Sequence, residues 1–190
     1  MFTSSHRALD SALLHLHGHE PVSWIDPQEF GRGLAAGTLR REWTWLAFVD
    51  TTPVARGVWW GPVGSVHPVA LRCLVVDETL PHPEVWAAAL IRSAHRAFAE
   101  AGALLVPDLV VEASADPADA SAVAAALAWR RLAAADAGLP AEQVLESVAP
   151  SAVAERATDA GPASERVTRH TFSSRSLTVP HPRVLAGAGR

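Results

Sequence analysis

Three histidines spaced two residues apart, His15, His17 and His19, form the clearest metal-binding pattern in the chain. On a β-strand this spacing would place three imidazoles on one face, where they could bind zinc. The surrounding residues favour a helix instead, and a helix would point His15 and His17 about 200° apart. No acidic or cysteine partner accompanies them in the sequence, so we predict surface histidines and no metal.

Few other side chains in the sequence are candidates for catalysis. Cys73 is the only cysteine and lies in an apolar run, which predicts a buried and inert thiol. The sequence contains neither a Gly-x-Ser-x-Gly nucleophile motif nor a Gly-x-Gly-x-x-Gly nucleotide loop. The chain also has no Lys and no Tyr, so lysine Schiff-base chemistry and a phenolic general acid are excluded.

The composition limits the classes of partner and the cellular location that we expect. The net charge of -4 and the lack of any Arg-rich run argue against nucleic-acid binding. No run approaches the roughly 18 apolar residues that a membrane helix needs. One cysteine cannot form an internal disulfide and no signal segment opens the chain, so we expect a cytoplasmic protein. Ala is abundant and Arg is used in place of Lys throughout, which is typical of a GC-rich, actinobacterial type of genome.

The hydrophobic pattern predicts a mixed α/β fold in which helices flank a central mixed sheet. With 190 residues and 49% hydrophobic content, we expect one domain over residues 1–149. Residues 150–190 are expected to be a linker, edge strands at 167–172 and 176–179, and a flexible tail. Helices are predicted at 4–17, 83–101 and 119–137, and strands at 43–49, 54–60, 69–76 and 107–113. The Pro and Gly residues between 18 and 41 allow either a loop or a short helix at 27–36. The strand-helix-strand order from 69 to 113 predicts a right-handed crossover and parallel pairing.

Tryptophans mark the predicted hairpin of strands 43–49 and 54–60. Trp43 and Trp45 should share one face, and Trp59 or Trp60 should meet them across the ladder. Adjacent Trp59 and Trp60 must point to opposite faces, so one of them should line a cleft or an interface. An aromatic-walled pocket for a ligand is a further hypothesis.

This order of elements resembles the GCN5-related N-acetyltransferase (GNAT) family, and in particular the N-terminal GNAT-type domains of actinobacterial proteins. The segments that carry the resemblance are 43–60 with its Val54-Ala55-Arg56, 68–77 and 83–95. The resemblance covers roughly residues 30–148 and includes no invariant catalytic motif. It implies a GNAT-like fold.

The resemblance also implies acyl-CoA, such as acetyl-CoA, as co-substrate. In the family the pantetheine arm pairs with the end of the central strand, here Leu74, Val75 and Val76. The pyrophosphate lies on the amino end of the next helix, where exposed amides and the helix dipole favour anions. The family's phosphate loop reads Arg or Gln, two residues, Gly, one residue, then Gly or Ala. The best superposition places His82 at the Arg or Gln position, Val85 at the first Gly and Ala87 at the last position. We predict that these three residues and the neighbouring Trp86 contact the cofactor.

For catalysis the resemblance suggests Glu112 or His67 as the base that accepts the amine proton. The family often places a Tyr on the last helix to protonate the departing thiolate, and this chain has no Tyr. A water or another donor would have to replace it. Alternatively, Glu112 is a solvated carboxylate at a strand end.

Two functions follow. The first is a GNAT-like acyltransferase that moves an acyl group from acyl-CoA to an amine or other small-molecule acceptor by direct attack. The second is a GNAT-fold protein that has lost CoA and serves as a small-molecule-binding, dimerisation or repurposed specialised-metabolism protein. The Val85 side chain and the acidic turn with Asp77, Glu78 and Glu84 support the second function, because they disfavour a phosphate. The sequence leaves a homodimer open.

Overall fold

The computed structural model describes residues 1–149. They form a mixed α+β domain whose helices pack on both faces of one sheet. In chain order the strands and α-helices are β1 Phe2–Ser4, α1 Asp10–His15, α2 Pro27–Ala36, β2 Leu39–Val49, β3 Thr52–Trp60, β4 Ala70–Val76, α3 Pro83–Glu100, β5 Asp108–Ser114, α4 Ala120–Asp136 and β6 Val144–Ala149. The predicted fold class, a central mixed sheet flanked by helices, is confirmed.

Within residues 1–149 the sheet has six strands in the order β1-β2-β3-β4-β5-β6. Neighbours from β1 to β4 are antiparallel, while β4–β5 and β5–β6 are parallel. Helix α3 connects β4 to β5, as the predicted crossover requires. The sheet therefore changes from antiparallel to parallel pairing at β4.

Two clusters of buried side chains lie on opposite faces of the sheet. The larger holds α3 and α4 against the strands, with Trp43, Trp59 and Phe98 among its members. The smaller packs α1 and α2 on the other face around Leu46 and Val58. Trp59 is fully buried in the larger cluster and Trp60 packs on the smaller, so the two adjacent tryptophans do point to opposite faces.

Local sequence explains where the helices begin and end. The Asp26 carboxylate accepts a hydrogen bond from the Glu29 amide at 2.7 Å, Pro27 occupies the first turn of α2, and Gly37 ends it in a left-handed conformation. Helix α3 begins with Pro83, and its apolar positions recur at three- and four-residue spacing toward the sheet.

The predicted strands and the helices at 83–101 and 119–137 are confirmed within a few residues. Of the two alternatives for 27–36, loop or short helix, the structure has the helix. The predicted helix at 4–17 is wrong in extent, because 2–4 is a strand, α1 covers Asp10–His15, and only a 3₁₀ turn lies between them. Strands β1 and β6 were not predicted. The expectations for residues 150–190 lie outside the described residues.

Candidate functional site

Strands β4 and β5 pair only where they begin. Ala70 lies opposite Asp108 and Leu71 opposite Leu109, whereas β5 pairs with β6 along its whole length. Beyond Leu71 the two parallel strands diverge. A wedge-shaped gap therefore opens in the sheet toward the carboxyl end of β4.

A segment from the amino-terminal part of the chain enters this gap. Residues 17–24, here called the strap, connect α1 to α2. The Ser23 amide donates to the Glu112 carbonyl oxygen at 2.7 Å, and the Ser114 amide donates to the Pro21 carbonyl oxygen at 2.8 Å. Since β6 occupies the other edge of β5, the strap pairs along the edge that faces β4.

Arg130 of α4 contacts the β4 edge of the gap. It is 3% exposed, and its guanidinium donates to the Leu74 carbonyl oxygen at 2.9 Å and to the Ala126 carbonyl oxygen at 2.9 Å. The Glu20 carboxylate of the strap lies 2.7 Å from the same guanidinium. Burial lowers the pKa of Arg130 from its usual value, and the charge of Glu20 opposes this effect.

Strap, strand and helix together line a partly open cavity of about 230 Å³, here called the strap cavity. Its walls combine apolar and aromatic surfaces with charged groups. The lining residues come from the strap, the end of β4, the turn after it and α4, and they are His17, Gly18, His19, Glu20, Val22, Trp24, Val75, Val76, Asp77, Glu78, Leu80, Pro83, Trp129 and Arg130.

Carboxylates dominate the part of the strap cavity nearest α3. Asp77 accepts hydrogen bonds from the amide and the hydroxyl of Thr79, and these bonds lower the pKa of its carboxyl. Glu78 follows it and is exposed. At neutral pH this end of the cavity carries negative charge, which disfavours a polyanion such as a pyrophosphate.

Leu74, Val75 and Val76, the three β4 residues predicted to contact a pantetheine arm, lie at the gap but have different neighbours. Val75 and Val76 line the strap cavity. The Asp77 amide donates to the Val54 carbonyl oxygen, so the alternating ladder turns the peptide groups of Leu74 and Val76 toward the gap. Arg130 already occupies the Leu74 carbonyl oxygen.

The four predicted residues at the start of α3 do not form an open anion site. His82 has a left-handed backbone with φ of 59°, and its ring lies 3.1 Å from the Glu84 carboxylate. The Val85 side chain is 55% exposed over the first turn. Trp86 and Ala87 pack toward the core. A carboxylate and a branched side chain thus stand where a phosphate would need bare amides.

The two predicted bases lie apart. Glu112 is on β5, and its carboxylate accepts a 2.6 Å hydrogen bond from Arg72 across the gap. His67 precedes β4, whose seven residues span roughly 20 Å to the end where Val76 lies. The structure therefore brings Glu112 near the gap and leaves His67 at the opposite end of the strand.

The three closely spaced histidines lie in different parts of the structure. His15 ends α1, while His17 and His19 belong to the strap, where the His17 ring packs edge-on against Trp24 with centroids 5.6 Å apart. Within residues 1–149 no group of three or more His, Cys, Asp or Glu side chains could hold a metal ion. Nor does any helix of that part have the length and apolar character to cross a membrane.

No family model, curated protein or solved structure matches this chain.

Sequence reasoning missed the strap, Glu20, Trp129 and Arg130. The Trp129 indole nitrogen donates to the Glu20 carboxylate at 2.7 Å across 109 positions of sequence. Contacts of such separation leave no periodic signal in a single sequence. The one available hint was an arginine within the Ala-rich run of α4, where a cation on a buried face demands a partner.

Proposed function

We propose that this chain is a GNAT-like domain that binds a small molecule in the strap cavity and has lost the family's mode of binding CoA. The order of elements and the divergence of β4 from β5 support the GNAT-like assignment, because that family holds its ligands where these strands separate. The cavity lies at that position. Its aromatic and apolar walls are those of a small-molecule site.

The observation that carries the proposal is the filled gap. The strap pairs with β5, and Arg130 takes the Leu74 carbonyl oxygen that a pantetheine arm would use. An arriving CoA would have to break these hydrogen bonds and leave a buried guanidinium without its acceptor, which is costly. Space remains for a compact ligand in the cavity, but the edge of β4 is not free for a long arm.

The start of α3 supports the same proposal independently. Glu84 and the exposed Val85 side chain disfavour a pyrophosphate at the helix terminus by charge and by volume. Loss of both the arm site and the phosphate site argues for a ligand other than CoA.

Thermal-shift measurements with indole, phenethylamine and benzamide test this proposal. At least one of the three should stabilise the wild-type protein. Leu80→Trp fills the strap cavity and should abolish the effect, whereas Leu104→Trp, at a position 96% exposed and outside the cavity lining, should preserve it. A shift that survives in Leu80→Trp, or no shift with any probe, would contradict the proposal.

The second candidate function is acyl transfer from acyl-CoA to an amine or another small acceptor. The observation in its favour is that the Val76 peptide groups face the gap, where they could polarise a thioester carbonyl. Glu112 would accept the proton after release from Arg72. Calorimetric titration with acetyl-CoA separates the functions, since saturable binding at a Kd below about 100 μM would favour acyl transfer.

A further inference from the structure

We propose that Arg130 and Trp129 form a binding site for the carboxylate of a small molecule, and that Glu20 is its built-in occupant. This inference rests on the proposed function, because the body of such a ligand would lie in the strap cavity. The Glu20 carboxylate spans two donors there, with Oε2 at 2.7 Å from an Arg130 nitrogen and Oε1 at 2.7 Å from the Trp129 indole nitrogen. A ligand carboxylate has the same two oxygens.

The guanidinium is held in place without help from Glu20. It donates to the carbonyl oxygens of Ala126, one turn earlier in α4, and of Leu74 in β4. The Arg130 side chain is 4% exposed, and its face packs over the Trp129 ring at 4.1 Å. Both donors sit on a 17-residue helix packed against the sheet, so the site is preorganised for an anion.

The occupant comes from a less constrained part of the chain. Glu20 belongs to the strap, which has no helix or strand of its own, and its side chain is 39% exposed. The strap is tied to β5 through Pro21 and Ser23, so the Glu20 side chain can leave the site without breaking those backbone hydrogen bonds. Exchange of Glu20 for a ligand therefore requires a side-chain movement alone.

Charge balance explains why a carboxylate is the expected ligand class. A buried guanidinium without a counter-charge is strongly unfavourable, so departure of Glu20 requires another anion in its place. A monoanionic carboxylate restores the balance, and the strap cavity adjoins the site with room for an apolar body. In the wild-type protein Glu20 competes at high effective concentration, which weakens the apparent affinity of any ligand.

Removal of the competitor tests the inference. In Glu20→Ala, benzoate should bind at least about tenfold more tightly than to the wild type, and about tenfold more tightly than the neutral isostere benzamide. Binding is measured by calorimetry at constant ionic strength. The matched control is Glu146→Ala, which frees Arg131 of the same helix from its carboxylate partner. Arg131 is largely exposed, so no gain in benzoate affinity is expected there.

Equal affinities of Glu20→Ala for benzoate and benzamide would overturn the carboxylate site while leaving a small-molecule cavity. An equal gain in Glu146→Ala would also overturn it, because exposed charge alone would then suffice. Glu20→Gln, which keeps the side-chain length and removes the charge, serves as the second variant if Glu20→Ala does not fold. It should show the same preference for benzoate, and no preference would overturn the inference. The Leu80→Trp measurement tests the cavity itself without reference to Glu20.

Discussion

The buried side chain of Arg56 holds the chain segments next to the strap. It is fully buried in β3, and its guanidinium donates to the carbonyl oxygens of Leu13 at 3.1 Å and Ile25 at 2.9 Å. Leu13 lies in α1, before the strap, and Ile25 directly follows the strap, so one side chain holds the chain segments on both sides of it. A residue that appeared at first only as part of a strand pattern thus helps to shape the site.

Replacement of Arg56 by Met should lower the free energy of unfolding by about 2–4 kcal/mol, because two buried carbonyl oxygens lose their donor. Urea denaturation measures the change. Arg72→Met is the matched control, since Arg72 forms a partly exposed ion pair with Glu112 and its loss should cost no more than about 1 kcal/mol. Similar losses in both variants would contradict the anchoring role of Arg56.

His95 makes stability depend on pH. Burial lowers its pKa to about 4, and its Nε2 accepts a hydrogen bond from the Trp59 indole nitrogen at 3.2 Å. Between pH 4 and 6.5 the unfolded chain binds a proton at this site that the folded protein does not, so stability is lost as the pH falls. We predict that His95 contributes a loss of about 2 kcal/mol between pH 7 and pH 5.

His95→Gln isolates this contribution, because Gln offers an uncharged acceptor to Trp59. Urea denaturation at pH 7 and pH 5 should give a smaller pH dependence in the variant than in the wild type. An unchanged pH dependence would show that other groups cause it.

At the level of elements, close packing of β3 against α3 depends on a glycine. A Cβ on Gly57 would lie 2.5 Å from a ring carbon of Trp59 and 3.4 Å from a methyl carbon of Leu90. Trp59 is itself fully buried and packs against Phe98 with ring centroids 5.5 Å apart. Because the ring is fully buried, a methyl group at position 57 would force the ring or the strand to shift within the core.

A pair of Gly→Ala variants tests this packing. Gly57→Ala should destabilise the protein by about 1–3 kcal/mol through overpacking. Gly31→Ala, in α2 with nothing within 4 Å of the added Cβ, should stabilise it by about 0.5–1 kcal/mol through helix propensity. Thermal or urea unfolding compares the two, and effects of the same sign would contradict the packing described.

Most elements could be predicted from the sequence because their apolar periodicity is strong. Helix α3 buries a face at regular spacing, and β5 alternates buried with partly exposed residues. Strand β1 has three residues, too few for any period. Strand β6 carries Glu146 at its centre and lies at the sheet edge, where the hydrophobic pattern is weak. Such strands are defined by their partners and not by local preference.

At the level of the whole molecule, one gap in the sheet brings together distant parts of the chain. The strap, the end of β4 and helix α4 meet there through contacts such as Arg130 with Leu74 and Glu20. Sequence reasoning located the end of β4 and the unsuitable turn before α3, because both lie within local segments. It could not predict that residues 17–24 enter the gap, since no local rule specifies which loop covers an unpaired strand edge.

Hydrogen exchange of the Ser114 amide, measured with and without acetyl-CoA, tests the central claim that the strap fills this gap. Ser114 donates to the Pro21 carbonyl oxygen at 2.8 Å, so its exchange should be slow, and millimolar acetyl-CoA should leave it unchanged. Fast exchange in the free protein, or a change in its rate on addition of acetyl-CoA, would contradict the account.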